Sequence, residues 1–273
     1  MSFVLSLTLA MYVMSGMLSL AHSVRRRVRL FRVSALAVLA VGVVVNLLWV
    51  MTRWQSAGFP PFAELYGCLV LLALCVGVVS LSLELLVDVR FVGALSSLAA
   101  AGVLVFSVRY LGETRPLPPA LQSPYFAPHV LSYFIAYGAL SVAGLASLVL
   151  LVARLFGVGA PSADEGRRFL EGVEAWIDRS AQIGLPFLTL GLILGGFWAQ
   201  AAYTDYWSWD PKEVWALITW LLVVAWFHLR MSSRRPVLHA ALMLVAVAAL
   251  YFTLLGMGLL PTAEQSVHTY TQP

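Results

Sequence analysis

The sequence predicts an all-α protein, a polytopic bundle that crosses a membrane about eight times. Hydrophobic residues make up 61% of its 273 residues and charged residues only 11%, about half the charged fraction of a typical soluble domain. One globular core of this size cannot hide so much apolar surface, so lipid is expected to surround most of it. The apolar stretches show no alternating barrel pattern, and backbone groups in lipid must then be satisfied within helices.

Eight apolar stretches are long enough to cross the roughly 30 Å hydrocarbon core of a bilayer. Polar, proline-rich or arginine-rich segments separate them, and the whole chain, 1–273, is treated as one membrane domain. The first stretch has no basic leader before it, so we interpret it as a span and not as a removed signal peptide. The predicted spans are 2–21, 33–51, 66–86, 91–108, 130–153, 181–202, 212–230 and 237–259.

Arginine placement predicts the orientation of these spans. The chain holds 16 arginines and one lysine, of which 13 fall on one set of loops and 4 on the other. Because basic residues collect on the cytoplasmic side, the richer loops are expected inside and both termini outside. The basic clusters lie beside apolar runs, where they anchor spans, so no nucleic-acid partner is expected. The predicted outer segments are 52–65, 109–129, 203–211 and the tail 260–273.

One inner segment has a helical pattern of its own. Residues 163–180 place apolar side chains at helical spacing among charged ones, which is typical of an amphipathic helix lying at a membrane interface. We therefore predict a cytoplasmic interfacial helix over about 163–180.

Aromatic residues crowd one outer segment more densely than membrane anchoring needs. Single tryptophans at an interface are ordinary, and Asp210, Pro211 and Glu213 form a typical helix start with a capping box. The remaining aromatic residues suggest a flat apolar platform for a planar ligand with polar edges. The eight aromatic residues considered are Trp198, Tyr203, Tyr206, Trp207, Trp209, Trp215, Trp220 and Trp226.

The segment 198–220, with its flanking Gly195-Gly196-Phe197, resembles the WWD domain of the CcsA/ResC family of cytochrome c biogenesis proteins, relatives of CcmC and CcmF. Its central run is Trp-Ser-Trp-Asp-Pro-Lys-Glu over 207–213. The continuation Val-Trp-Ala-Leu-Ile-Thr-Trp resembles CcsA more than CcmC. One departure is Tyr203-Thr204, which stands where the family usually has Trp-Gly.

The resemblance extends over about 121–270. Leu-Gln-Ser-Pro at 121–124, leading to His129, resembles the family's outer loop before a span, and Val-His-Thr-Tyr at 267–270 resembles its C-terminal segment. The resemblance implies that the protein binds haem b non-covalently through two outer axial histidines, His129 and His268. Imidazoles are common axial ligands of haem iron. The segment 198–220 would supply the surface that binds the haem. The further cofactor-binding candidates are Trp198, Tyr206, Trp207, Trp209, Asp210 and Trp215.

The remaining histidines receive different predictions. His228 lies 17 residues past Pro211, about 26 Å deeper along a helix, and the resemblance implies that it ligates an inner haem whose second ligand comes from a partner. His22 and His239 lie beside inner arginine clusters and are predicted to be solvated. Glu64 is interpreted either as the counterpart of a family glutamate or as a solvated loop carboxylate.

The resemblance implies that the protein carries haem across the plasma membrane and attaches it to the CxxCH segment of an apocytochrome c at the outer face. It would be the CcsA half of a CcsA–CcsB (ResC–ResB) synthase. A thioredoxin-like thiol reductant is a further implied partner, and lipid is expected around the spans. No general acid or nucleophile is evident, so no catalytic residue is predicted.

Three alternatives stay open. A CcmC-like donor would pass haem to a chaperone, and an assembly factor would use the same site without forming bonds. A proton- or ion-coupled secondary transporter is disfavoured, because the midplane positions of the predicted spans are nearly all apolar.

Overall fold

The computed structural model describes residues 3–24, 29–87, 89–112, 117–157 and 163–256, and within these ranges all regular structure is helical. Eight helices are long and apolar enough to cross a membrane, which confirms the predicted fold class. An even number of spans puts both ends of the described chain on one side, while the choice of side stays a prediction. The helices are α1 Phe3–Val24, α2 Arg29–Ala57, α3 Leu65–Leu86, α4 Arg90–Ser107, α5 Phe126–Leu155, α6 Ala163–Tyr203, α7 Pro211–Ser232 and α8 Pro236–Tyr251.

Helix α6 differs from the prediction of a separate interfacial helix. The segment 163–180 is helical, but it continues into the sixth span as one helix of 41 residues, about 60 Å long at 1.5 Å per residue. Its apolar face packs on the bundle: Trp176 is fully buried and its indole N–H donates to the carbonyl oxygen of Val87 at 3.2 Å. The predicted apolar stripe is therefore a packing surface against the protein.

The centre of the bundle is the crossing of α3 and α5. Helix α5 also packs against α6 and α8, while α1 packs against α2 and α4. At the crossing a Cβ added to Gly138 would lie 2.7 Å from the carbonyl carbon of Cys75. Because protein interiors are close-packed, the absence of a side chain at Gly138 sets the distance between the two helices.

An ion cluster joins α5, α6 and α7 at one end of the bundle, here named the arginine end. Arg230 binds Asp178 through two hydrogen bonds of 2.8 Å, and its guanidinium lies 3.2 Å from Glu174. Arg154 lies 3.8 Å from the same glutamate. A fork-to-fork pair of this kind fixes both position and orientation, so the end of α7 is held against α6.

Two histidines at this end are buried, so the prediction that they are solvated is wrong. His239 is 3% exposed; its ring contacts Arg230 at 3.5 Å and Ser233 at 3.1 Å, and its carbonyl oxygen accepts the indole N–H of Trp226. His22, on α1, is 2% exposed and is covered by neighbouring parts of the bundle. Sequence proximity to arginines misled the prediction, because the helices fold these positions inward.

The close approach of α3 and α5 predicts that Gly138→Ala will destabilise the protein. The added methyl group meets backbone atoms of Cys75, which cannot move aside as a side chain can, and overpacking of this kind costs about 1–3 kcal/mol. Thermal unfolding of the detergent-purified protein, followed by circular dichroism, measures the effect. The matched control is Gly102→Ala in α4, where an added Cβ has no neighbour within 4 Å. Equal melting temperatures for the two variants would contradict the prediction.

Candidate functional site

A cavity of about 170 Å³ lies at the end of the bundle opposite the arginine end, against about 10 Å³ for each of three other pockets. Three of the predicted outer segments contribute to its wall, through Phe62, Leu121 and Trp207, and the π-helical turn Phe252–Gly256 that follows α8 contributes Leu254. Most of the wall is aliphatic or aromatic. The fold thus brings segments that are far apart in sequence to one apolar chamber.

His129 lies on this wall, in the first turn of α5. Its Nδ1 lies 2.9 Å from the carbonyl oxygen of Gly191 in α6. A carbonyl oxygen only accepts hydrogen bonds, so Nδ1 carries a proton, and in the neutral form of the ring the lone pair is on Nε2. A histidine oriented through one nitrogen in this way is prepared to bind a metal through the other.

Glycines of α6 make room for the ring of His129. A Cβ on Gly195 would lie 2.7 Å from Cε1 of His129, and a Cβ on Gly191 would lie 2.8 Å from the ring of Tyr133. At Gly196 the nearest atom is the carbonyl oxygen of Tyr206 at 3.4 Å, an ordinary contact. The imidazole therefore lies directly over the bare backbone at Gly195.

The indole of Trp198 packs against the same imidazole. The two rings are stacked, with centroids 5.7 Å apart and planes 14° apart. Trp198 is 3% exposed and its indole N–H donates to the carbonyl oxygen of Ala120 at 2.8 Å. It lines the cavity and ties the short 3₁₀ turn Pro119–Leu121 to α6.

Trp207 and Tyr206 bring the loop between α6 and α7 to the mouth of the cavity. Both line it. The indole N–H of Trp207 is buried, and it finds no hydrogen-bond acceptor among the residues that the structure describes. Buried donors are almost always satisfied in native proteins, so this N–H marks a position where a ligand acceptor is expected.

Trp209 lies outside the cavity wall and has an unusual backbone. Its φ is +61° and its side chain is 72% exposed, with the ring edge-on to Trp207 at 5.8 Å. The amides of Ser208 and Asp210, on either side of it, both donate to one carboxylate oxygen of Glu213, at 2.9 and 3.2 Å. This clamp keeps Trp209 in the left-handed region, a strain that proteins concentrate at functional sites.

Asp210 and Trp215 have contacts other than with the cavity. Asp210 is the N-cap of α7, and its carboxylate accepts the amide of Lys212 at 2.8 Å in the predicted capping box. Trp215 packs on Phe252, with ring centroids 4.4 Å apart. Their assignment as cofactor-binding residues stays a prediction, since the observed contacts give each of them a structural role.

The other two predicted iron ligands lie away from this wall. His228 is near the arginine end of α7, with an exposed side chain whose Nδ1 lies 2.9 Å from the carbonyl oxygen of Val224. The same reasoning as for His129 puts the lone pair of the neutral ring on Nε2. His268 lies outside the described residues, 12 positions after Gly256.

Two polar residues on the wall were missed by the sequence prediction. Tyr133 lies one turn after His129 on α5, with its ring edge-on at 5.0 Å, a neighbour that helical spacing alone could have identified. Lys212 is the other, and it is the chain's single lysine. Its backbone amide belongs to the cap of α7, while its side chain reaches the cavity.

Comparison with known proteins decides the family. The family described as "Cytochrome C assembly protein" matches residues 62–265, well over half of the chain. The chain belongs to the cytochrome c assembly protein family. Membership of this family confirms the predicted role in cytochrome c biogenesis and the involvement of haem, in a multi-pass membrane protein.

Individual members support the assignment. The cytochrome c biogenesis protein CcsA of Chlamydomonas reinhardtii is 34% identical over 242 residues, covering 83% of this chain and 66% of that protein. The protein of the same name from Synechococcus sp. strain CC9902 is 33% identical over 252 residues, covering 79% of this chain and 83% of its own. The chain therefore spans just under two thirds of the algal protein's length and most of the cyanobacterial one.

A solved structure of the cytochrome c haem lyase CcmF has a similar fold. The TM-score is 0.66 at 19% identity, over 92% of this chain and 45% of that one. At this identity the likeness concerns the helix arrangement only. The arrangement of spans described above is therefore shared with a protein about twice as long.

The chemistry of the cavity fits haem. A planar, largely apolar substrate suits an aliphatic and aromatic wall, and iron suits the Nε2 lone pair of His129. The buried N–H of Trp207 suits a hydrogen-bond acceptor on the edge of such a substrate.

The turn that ends α6 generates a stability prediction. Thr204 has φ of +71°, and its amide donates to the carbonyl oxygen of Gln200 at 3.0 Å, as at a helix C-cap. A side chain in this conformation costs about 1–2 kcal/mol of folding free energy, and glycine avoids this cost. The gain is partly offset, by about 0.5–1 kcal/mol, because glycine loses more conformational freedom when the chain folds. Thr204→Gly should therefore stabilise the protein by up to about 1 kcal/mol, measured by thermal unfolding.

The control for this change is Thr52→Gly on the exposed face of α2. There the backbone is an ordinary helix, so glycine should lower stability by about 0.5–1 kcal/mol. If both variants lower the melting temperature by the same amount, the left-handed strain at Thr204 is not significant.

Proposed function

We propose that this protein is the CcsA-type half of a two-protein cytochrome c synthase in the plasma membrane. It would hold haem b at its outer face for attachment to an apocytochrome c, so haem is here the substrate as well as the ligand. The observation that carries the proposal is the meeting of an oriented imidazole, His129, with the tryptophan-rich loop at one apolar cavity.

His129 and His268 are proposed to bind the iron from its two faces. Thr253 and Leu254 lie on the cavity wall, so the last described residues of the chain are close to the cavity. The 12 residues from Gly256 to His268 span at most about 40 Å when extended, a length sufficient to return His268 to the cavity. Two neutral imidazoles would occupy both axial positions and shield the iron from water and oxygen.

The reaction itself needs little from the protein beyond positioning. Haem supplies two vinyl groups, and each thiol of a CxxCH segment adds its S–H across one vinyl double bond, giving a C–S and a C–H bond with no electrons to be supplied. The wall of the cavity excludes water, and Trp198 and Gly195 hold the imidazole of His129 in place. Orientation of this kind lowers the entropic part of the barrier.

His228 is proposed to bind a second, inner haem together with a partner. Its side chain is exposed, on the face of α7 that also exposes Leu221. A second ligand must then come from another chain, for which a CcsB/ResB-type membrane protein is the candidate. The Arg230–Asp178 pair two residues further on fixes the turn of helix that presents His228.

The test of the haem proposal is the absorption spectrum of protein purified from a haem-replete host. Wild type should show a Soret band of a low-spin, six-coordinate iron. His129→Ala and His268→Ala should each weaken haem retention by at least about tenfold, since each removes one strong ligand. A colourless wild type would overturn the haem proposal, and a Soret band indifferent to both substitutions would overturn the ligand assignment.

Adjacent glycines provide a matched pair of further variants. Gly195→Ala leaves His129 in the chain but pushes its ring, at 2.7 Å, off the Gly191 carbonyl. Haem retention should fall by about 10- to 100-fold, as for other changes to the groups that orient a ligand. Gly196→Ala also adds a methyl group beside the cavity, but it meets only an ordinary contact and leaves the hydrogen bond of His129 intact, so haem retention should fall much less than in Gly195→Ala. Equal loss in the two variants would indicate general damage to α6.

Co-expression separates a synthase from a CcmC-like donor. The protein, a CcsB/ResB-type partner and a CxxCH reporter are produced together, and covalent haem on the reporter is read after denaturing electrophoresis. We expect thioether-bound haem only when all three are present with a thiol reductant of the thioredoxin class. Haem transferred without any covalent product would favour the donor function instead.

A further inference from the structure

We propose that the hydroxyl groups of Tyr133 and Tyr137 form an uncharged subsite that binds a carboxyl group of the substrate. The proposal rests on the proposed function, since the substrate that the subsite orients is haem. Both tyrosines line the outer cavity, and both lie on α5, the helix that also carries His129. Neither hydroxyl has a part in the binding of iron described above.

The histidine and the two tyrosines follow one another along one face of α5. Positions 129, 133 and 137 are four residues apart, so consecutive side chains are neighbours on the helix. The ring centroid of Tyr133 lies 5.0 Å from that of His129 and 5.9 Å from that of Tyr137. At 1.5 Å per residue the tyrosines are about 6 and 12 Å deeper than the histidine. A porphyrin whose iron is bound at His129 is wide enough to bring one edge to this depth.

The hydroxyl of Tyr137 is enclosed by the protein without a hydrogen-bond partner. Tyr137 is 5% exposed, and neither its hydroxyl nor that of Tyr133 makes a hydrogen bond to a residue in the described parts of the chain. A neighbouring tyrosine differs, because the hydroxyl of Tyr251 at the end of α8 is paired with that of Ser141 at 2.7 Å. Buried polar groups are almost always hydrogen-bonded, so the two cavity hydroxyls mark a place for a polar group of a ligand.

The charged groups of the wall interact with other parts of the protein, and the subsite does not depend on them. One carboxylate oxygen of Glu213 accepts two hydrogen bonds from Ser208 and one from the amide of Asp210, at 2.9 to 3.3 Å. The ammonium of Lys212 is electrostatically coupled to Asp210. Glu213 is also an electrostatic neighbour of Tyr133. A subsite beside this acid must therefore bind a carboxyl group without requiring it to be ionised.

Tyrosine hydroxyls meet that requirement because each can donate one hydrogen bond and accept another. Two of them can both donate to the oxygens of a carboxylate. They can equally bind the neutral acid, when one donates to its carbonyl oxygen and the other accepts its O–H. Water can satisfy both hydroxyls before the substrate enters. A substrate side chain that lacks oxygen would displace this water without replacing its hydrogen bonds, and so would bind more weakly.

The indole N–H of Trp207 supplies a further donor for the same edge of the substrate. It is buried and has no acceptor among the described residues, and Trp207 lines the same cavity. Haem carries two carboxyl groups on one edge, so one can bind the tyrosines while the other accepts from the indole. The vinyl groups lie away from that edge and stay free for the thiols. Tyr133 and Tyr137 are thus specificity-determining residues that orient the substrate and take no part in bond formation.

The experiment compares haem with iron octaethylporphyrin, whose side chains are all alkyl groups. Each is titrated by absorbance into the detergent-purified, haem-depleted full chain. Tyr133→Phe and Tyr137→Phe keep both rings and remove one hydroxyl each. Each variant should bind haem about 3- to 10-fold more weakly than wild type, the loss expected for one buried hydrogen bond. Its affinity for iron octaethylporphyrin should not fall. Affinities are compared between variants for one porphyrin at a time, so partition of the porphyrin into detergent cancels.

The matched control is Tyr251→Phe, which removes a tyrosine hydroxyl of the same bundle that is paired with Ser141 and lies outside the cavity lining. It should change neither affinity. If Tyr133→Phe and Tyr137→Phe weaken both porphyrins equally, or weaken neither, the subsite is wrong while the haem proposal stands. If wild type binds neither porphyrin, or its Soret band is insensitive to His129→Ala, the proposed function fails and the subsite fails with it.

Discussion

The hydrogen bond between His129 and the carbonyl oxygen of Gly191 is the contact on which the site depends. It places a proton on Nδ1 and, in the neutral ring, the lone pair on Nε2. Contacts with aromatic rings alone would not distinguish the two nitrogens. The hydrogen bond is possible only because α5 and α6 approach closely along a glycine-lined face, where Gly191 and Gly195 leave room for two aromatic rings. Helix packing therefore determines the chemistry of the imidazole.

The tryptophan-rich loop depends on a second contact of the same kind. One oxygen of Glu213 binds the amides on both sides of Trp209, and the same carboxylate closes the capping box of α7. The Glu213 carboxylate therefore both starts helix α7 and fixes the strained conformation of the loop. This explains why acidic and proline residues occur among the tryptophans: they fix the backbone that the aromatic residues need.

The sequence predicts well what depends on local pattern and less well what depends on packing. The eight spans and the capping box at Asp210 follow from hydropathy and from residue spacing, and the structure contains both. The continuity of α6 and the burial of His239 depend on which helices become neighbours. The cavity position of Lys212 likewise depends on how α7 faces α3 and α5, which the order of residues does not reveal.

The long helix α6 contacts functional candidates at both ends of the molecule. Glu174 and Asp178 in its first half hold Arg230 two residues from His228, and the carbonyl oxygen of Gly191 in its second half accepts a hydrogen bond from Nδ1 of His129. Pro186 lies between these contacts. Because proline has no backbone N–H, one backbone hydrogen bond of α6 is missing at this position. His228 and His129 therefore depend for their positions on opposite halves of one helix.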